Sequence, residues 1–237
     1  MARGDEIVPV NMQIAIDGPA GAGKSTVAQA VANRLAVPYI DTGAMYRSVT
    51  LSALQQGVSF HDEAALAAIA SSLSLRFIPL DDGQRVFLDD RDATHDIRSA
   101  EVGALVSVVA AHPQVRERLV ERQRLIVMEN RGLVMDGRDI GTHVLPNADV
   151  KIYLTASLHM RASRRFDELA QRGYTGTLAE VAKVLRERDE ADGGRKASPM
   201  RPADDAVIMD STTLSIAEVV EMIIALCRYR SAQKGAE

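Results

Sequence analysis

The apolar residues of this chain gather in short unbroken runs, separated by longer stretches in which they return every three or four positions. Five runs have the brevity and continuous hydrophobicity of strands buried on both faces: Met12 to Asp17, Tyr39 to Asp41, Gly132 to Asp136, Val150 to Thr155 and Ala206 to Asp210. The stretches between them carry helical spacing. Val27, Val31 and Leu35 fall on one face of the segment that follows the first run. Thr177-Leu178-Ala179-Glu180 and Ser215-Ile216-Ala217-Glu218 are capping boxes, and the second opens a helix from Ile216 to about Arg230. Strands alternating with helices predict an α/β domain with a parallel sheet. Most of the strand runs end in Asp or Thr, and the carboxyl ends of parallel strands are where such sheets place their sites.

Two regions break this rhythm. Leu73 to Ile78 and Arg85 to Leu88 alternate apolar and polar residues around Asp81-Asp82-Gly83, which predicts a hairpin with one exposed face. The hairpin makes about 62–103 a small insertion. From Met160 to Arg201 the chain carries Arg161, Arg164, Arg165, Arg172, Arg186, Arg188, Arg195 and Arg201, punctuated by Gly173, Gly176, Gly193 and Gly194. One reading is a solvated helical hairpin laced with ion pairs. The other is a mobile lid that carries cations to a phosphate. The expected layout is one domain: a core of about 12–61, 104–159 and 202–230, the insertion, a lid of about 160–201, and loose tails at 1–11 and 231–237.

Composition narrows the class. The chain has 237 residues, 46% hydrophobic and 25% charged, as expected of a soluble globular protein. Its net charge of -4 argues against a general nucleic-acid or membrane-surface role. One cysteine, Cys227, excludes an intrachain disulfide framework and a Cys-rich zinc site; its apolar surroundings predict a packed core thiol. No apolar run approaches the roughly 20 residues of a membrane span. Met1 to Val10 carries Asp5 and Glu6 and no hydrophobic signal core. A cytoplasmic protein is expected.

The chemistry starts at Gly18-Pro19-Ala20-Gly21-Ala22-Gly23-Lys24-Ser25, which fits the phosphate-binding P-loop and lies between a predicted strand and a helix. Glycines let backbone N–H groups turn toward phosphate oxygens, and the helix N-terminus beginning near Thr26 adds partial positive charge. Lys24 would reach the β- and γ-phosphates, and the Ser25 hydroxyl would sit on Mg²⁺. No N-K-x-D and no D-x-x-G occurs, which disfavours a GTPase switch. Past the second strand run, Asp41-Thr42-Gly43-Ala44-Met45-Tyr46-Arg47 places an arginine suited to bidentate phosphate contact. Past the third, Asp136-Gly137-Arg138-Asp139 projects Arg138 and Asp139 above the sheet, and Asp136 could hold a magnesium-bound water. Arg188, Asp192 and Arg195 would share one helix face, although Gly193-Gly194 works against a continuous helix.

From about Met12 to Tyr229 the chain resembles the bacterial cytidylate (CMP) kinases of the long type. The residues that carry the resemblance are GPAGAGKS, DTGAMYR, the hairpin insertion ahead of Ser107 to Arg116, DGRDIGT and RDEADGGR. The resemblance implies a P-loop kinase core with a five-stranded parallel sheet flanked by helices, a lid, and a monophosphate-binding insertion containing the β-hairpin. It implies ATP as co-substrate with Mg²⁺, and CMP or dCMP as acceptor. A monomer with no nucleic-acid or membrane partner is expected. Gly18 to Thr26 would hold ATP. Ser107, Arg116 and Asp139 would read the cytosine edge, Arg47 and Arg138 would hold the monophosphate, and Thr42 and Tyr46 would line its site. Arg188 and Asp192 would contact the ribose, with Arg195 near ribose and phosphate. Lys24, Arg138, Arg161 and Arg164 would stabilise the transferring group. Two positions depart from the family: Thr42 where Ser is common, and Gly193-Gly194 where bulkier polar residues are.

Cytosine presents an amino donor at N4 and acceptors at N3 and O2, which a carboxylate and a guanidinium complement. No general base is needed, because a phosphate monoester with a second pKa of about 6 is already ionised at neutral pH. The alternatives are another small-acceptor P-loop kinase, against which the insertion and the Ser107, Arg116, Asp139 set speak, and a regulatory nucleotide-binding module, against which the lid arginines speak.

Overall fold

The computed structural model describes residues 11–80, 83–171 and 173–234. β1 (Gln13–Asp17) leads through the glycine loop into α1 (Lys24–Leu35), and β2 (Tyr39–Asp41) leads into α2 (Thr42–Gln56). Then follow α3 (Glu63–Ser72), β3 (Leu75–Leu80), β4 (Gly83–Leu88), β5 (Arg91–Asp92), a 3-10 turn at Asp96–Arg98, α4 (Ala100–Val109) and α5 (Pro113–Met128). β6 (Leu133–Gly137) runs into a π-helical turn at Ile140–Val144. After it come β7 (Val150–Thr155), α6 (Leu158–Ala170), α7 (Leu178–Gly193), β8 (Val207–Asp210) and α8 (Ile216–Lys234).

The five runs of apolar sequence form one sheet in the order β2-β6-β1-β7-β8, every neighbouring pair parallel. β1 is central, and Ile14, Ala15 and Ile16 have no exposed surface. That is why the strand reads as a continuous apolar run and not as an alternating one. On one face Val27 and Val31 of α1 and Ile223 and Cys227 of α8 pack with Ile14, Ile16 and Ile152. On the other, Val127 of α5 and the π-turn residues Ile140 and Val144 pack with Ala15, Ile40, Leu133 and Met135. Burial pushes the Cys227 thiol up to about 12, in keeping with a packed core position.

The insertion has no core of its own. Its Leu66, Val86, Ile97 and Val102 are buried in one cluster with Met45 and Val49 of α2 and Leu119 of α5. β3 and β4 pair antiparallel as the alternation predicts, with β3 running from Leu75 to Leu80 instead of from Leu73. A third strand, β5, joins them through a turn in which Asp89 and Asp90 take φ of 48° and 66°. Two residues are too few to show a period, so the sequence does not announce it. The turn residues Asp81 and Asp82 lie outside the described residues, as does Arg172.

α6 and α7 form a helical hairpin over the glycine loop, with Ala162, Val181 and Leu185 buried against Ala20. Both capping boxes form: Thr177 with Glu180, and Ser215 with Glu218. α7 stays helical through Gly193 and ends on Gly194, whose N–H donates to the Glu190 carbonyl at 2.8 Å, so Arg188 and Asp192 do share a continuous helix. α8 continues through Lys234, which pairs with Asp149. Residues 231–234 are therefore helical and not the loose tail expected. Residues 1–10 and 235–237 lie outside the described residues. No helix among the described residues is long and apolar enough to cross a membrane.

Candidate functional site

The carboxyl ends of β1, β2 and β6 open into a cleft of about 390 Å³, lined by the glycine loop, the start of α2, the 3-10 turn, α4, α5, residues 136–139 and the inner face of α7. Its shape begins with backbone. Gly18 has φ 144°, and a Cβ there would lie 2.0 Å from the Leu154 carbonyl oxygen of β7, so only glycine lets the chain leave β1 against its neighbour strand. Gly137 makes a similarly tight exit from β6, where a Cβ would meet Ile140 Cδ1 and Thr42 Oγ1, each at 2.7 Å. These two exits aim the P-loop and Arg138-Asp139 into the same space.

At the P-loop, Lys24 is buried and its Nζ donates to the Pro19 carbonyl at 2.7 Å. Burial, reinforced by the nearby Arg138 charge, brings this lysine down to about 7. Ser25 Oγ donates to Asp136 Oδ2 at 2.9 Å, and Tyr39 Oη donates to Asp136 Oδ1 at 2.8 Å. Thr42 Oγ1 donates to the Asp136 carbonyl at 2.7 Å. Burial, then the neighbouring Asp41 carboxylate, raises Asp136 to about 6. The hydroxyl and carboxylate oxygens of Ser25 and Asp136 are hard donors that fit Mg²⁺, held directly or through water, and a cation there would offset the cost of ionising Asp136.

The middle of the cleft is a cation lattice. Asp41 caps α2 by accepting from Ala44 N at 2.8 Å. It also accepts from Arg47 Nη2 at 2.8 Å, and Arg98 Nη2 lies 3.6 Å from it. Asp192 is buried and accepts from Arg138 Nε at 2.9 Å and from Arg195 Nη2. Burial opposes its ionisation, but Arg138, Arg195 and Arg188 outweigh burial and hold it below the usual carboxylate range. Arg188 is brought down to about 10, chiefly by burial and then by the Arg138 charge. The cleft lining holds eight cationic side chains against five carboxylates, in a chain whose net charge is -4. The Nε atoms of Arg47, Arg116 and Arg188 are buried without a hydrogen-bond partner. Unpaired buried donors and surplus positive charge both call for an anion.

At the far end Arg116 is buried with its guanidinium 5.3 Å over the Tyr46 ring, donating to the Ala110 carbonyl at 3.2 Å and to Asp139 Oδ2 at 2.5 Å. Ser107 lines the same pocket. Thus Thr42, Tyr46, Arg47, Ser107, Arg116, Arg138, Asp139, Arg188, Asp192 and Arg195 all come together, with Lys24 and Ser25 opposite.

Arg161 and Arg164, the two arginines expected to act from a lid, do not join them. Arg161 is buried beneath the loop, where it donates to the carbonyls of Ala156 at 2.9 Å and Ala20 at 3.1 Å and to Asp189 at 2.6 Å. Arg164 donates to the Ser211 hydroxyl and carbonyl at 3.2 and 2.7 Å. Arg165 lines the cleft instead, paired with Glu168 at 2.8 Å. One step along a helix turns a side chain by about 100°, and the Arg-rich sequence does not mark which arginine of the run faces inward. Arg98, Asp41 and Tyr39 are further residues of the site, outside the candidate set read from the sequence. Asp41 and Tyr39 bound a strand run, which is the signal that marks them; Arg98 carries no motif.

A family model described as Cytidylate kinase matches residues 14–229. A cytidylate kinase of Geobacillus sp. (strain WCH70) is 50% identical over 93% of this chain and 98% of that protein. One from Listeria monocytogenes is 50% identical over 92% of this chain and 96% of its own length. One from Halalkalibacterium halodurans is 47% identical over 92% and 98%. The crystal structure of an uncharacterized protein from Eubacterium ventriosum shares the fold, with a TM-score of 0.51 and 11% identity over 92% of this chain and 98% of that one.

Proposed function

Because the chain belongs to the cytidylate kinase family, and so phosphorylates CMP with ATP, we propose that the cleft divides that reaction between three groups of its own residues. The observation that carries the reading is the surplus of cations with three unpaired buried guanidinium nitrogens, ending in a paired arginine and carboxylate. The surplus suits a monophosphate facing a triphosphate. The arginine–carboxylate pair suits a base edge with both donors and acceptors.

The first group is the loop from Gly18 to Thr26, whose N–H groups and Lys24 take the ATP phosphates. Mg²⁺, held through Ser25 and Asp136 when bound, supplies charge neutralisation on those phosphates. The second is Arg47 and Arg138 on the CMP phosphate, with Thr42 and Tyr46 lining that site and Arg188, Asp192 and Arg195 at its ribose side. The third is Ser107, Arg116 and Asp139 at cytosine. Asp139 accepts from the N4 amino group, and Arg116 donates to N3 and O2. Uracil would set a carbonyl against the carboxylate. The insertion and α4 wall the acceptor, and the α6–α7 hairpin closes over the transferring group.

The acceptor oxygen is ionised at neutral pH, so alignment and charge neutralisation by Lys24 and Arg138 do the chemistry. Arg161 and Arg164 serve the reaction by seating the lid on the P-loop and on Ser211, and Arg165 is the lid arginine that faces the cleft. dCMP is a second acceptor, since base and phosphate contacts survive loss of the 2′-hydroxyl. The substrates are soluble metabolites, which supports a cytoplasmic site of action. A coupled assay of ADP release with CMP, dCMP, UMP and AMP tests the reading. Turnover of CMP and dCMP well above UMP and AMP upholds it, and equal turnover of UMP rejects the base assignment.

A further inference from the structure

Asp17, the last residue of β1, lies outside the three groups above, yet it is 4% exposed and fully engaged. Its Oδ1 accepts from Ile140 N at 2.8 Å and its Oδ2 from Gly141 N at 2.7 Å. These are the first free amides of the π-helical turn at Ile140–Val144, directly after Arg138 and Asp139.

A residue in the position of Asp139 ordinarily turns its own carboxylate back onto such amides. Here it does not: Asp139 makes no side-chain cap and instead receives Arg116 Nη2 at 2.5 Å. The turn is anchored at its other side too. His143 N donates to the Asp139 carbonyl at 2.9 Å and Leu145 N donates to the Ile140 carbonyl at 2.7 Å. The turn is therefore capped from a distant strand, by the residue immediately before the P-loop.

We propose that Asp17 is a positioning residue for cytosine selection: by capping the Ile140–Val144 turn in place of Asp139, it frees the Asp139 carboxylate to face Arg116 and the base. The proposal rests on the reading of Asp139 as a base contact. With Asp17 removed, the orphaned amides compete with the base for the nearest carboxylate, which is Asp139. Arg138, one residue earlier, shifts with it.

The test is kcat/KM for CMP and UMP in wild type, Asp17→Asn, Asp139→Asn and the double variant. Asp17→Asn keeps the shape but turns an NH₂ toward one of the two amides. It should narrow the CMP/UMP ratio by about 10-fold, the scale of one lost hydrogen bond. KM for ATP should move by less than about 2-fold, since the change is not in donor binding. In the double variant the two effects on the ratio should not add, because both act through one carboxylate. If Asp139→Asn leaves the ratio unchanged, the base reading itself falls. If Asp139→Asn narrows it and Asp17→Asn does not, or if Asp17→Asn lowers both pyrimidines in proportion, Asp17 is merely structural and the proposal is overturned. Should Asp17→Asn not fold, Asp17→Ser, with one oxygen, reads the same ratio. In the wild type, amide exchange at Ile140 and Gly141 must be slow; fast exchange there also overturns the proposal.

Discussion

Arg116 and Asp139 meet at 2.5 Å, Nη2 to Oδ2, with side chains only 4% and 6% exposed. They stand 23 residues apart in sequence and come from α5 and from the exit of β6. A buried pair of opposite charges at one end of a cation-rich cleft complements a ligand edge that is part donor and part acceptor. Asp139→Asn supplies an amide that can serve a carbonyl at position 4. The CMP preference over UMP should fall by about 1–3 kcal/mol, the scale of one good base contact. Arg116→Met should weaken both pyrimidines, because both carry O2, and Arg47→Met should weaken all monophosphates alike. Steady-state kinetics with CMP and UMP decide the matter, and an unchanged ratio in Asp139→Asn would refute the base assignment.

Lys24→Ala should cost at least about 10²-fold in kcat, the scale of losing one preorganised donor, while circular dichroism and Tm remain near wild type. Among the described residues the Lys24 side chain hydrogen-bonds only the Pro19 carbonyl of its own loop, so its loss leaves the fold little disturbed. Near-normal turnover would sink the P-loop assignment.

The lid arginines should separate by their effects. Arg161 is 9% exposed at its side chain and joins Ala156, Ala20 and Asp189. Arg161→Met leaves Asp189 and two carbonyls without their donor. It should cost roughly 2–3 kcal/mol, below the usual figure for a broken buried pair because Asp189 keeps 19% exposure. Arg165→Met should leave Tm unchanged and lower kcat. Thermal melts beside kinetics check this, and a stable, slow Arg161→Met would reverse the assignment.

Lid closure should need both nucleotides. The lid's own core is small, and its inner face shares the surplus charge of the cleft. Hydrogen exchange across α6 and α7 should slow more with an ATP analogue plus CMP than with either alone. Equal protection in the free enzyme would exclude a closing lid.

Stability should carry the signature of Asp17. Burial raises its carboxyl from 3.8 to about 7, against the pull of the Gly141 and Ile140 amides. A raised acid binds a proton in the folded state before the unfolded one. Its neutral form therefore contributes stability that is complete below about 4 and lost as pH rises through 7. Melting curves of wild type and Asp17→Asn should diverge between pH 4 and 7 and run parallel above 8. Curves parallel throughout would show that Asp17 titrates normally.

Much of this protein is legible in one dimension because its determinants are local. The apolar runs that become β1, β2, β6, β7 and β8 are set by burial on both faces, and each strand lies within one residue of its run. The P-loop needs only glycines, a lysine and a hydroxyl in fixed order. Arg47, Arg138 and Asp139 follow strand ends, so parallel topology alone carries them to one edge of the sheet. What the tertiary structure decided is which side chains are already spoken for. Arg161 and Arg164 differ from Arg165 only by rotation about α6, and packing against Ala20 and Ser211 chose among them. β5 exists because β4 offered it a free edge, not because two residues prefer strand. Asp17 reads in sequence as the polar end of a strand. Its partners lie 123 and 124 residues away, and only the closing of β6 beside β1 turns it into the cap that leaves Asp139 free.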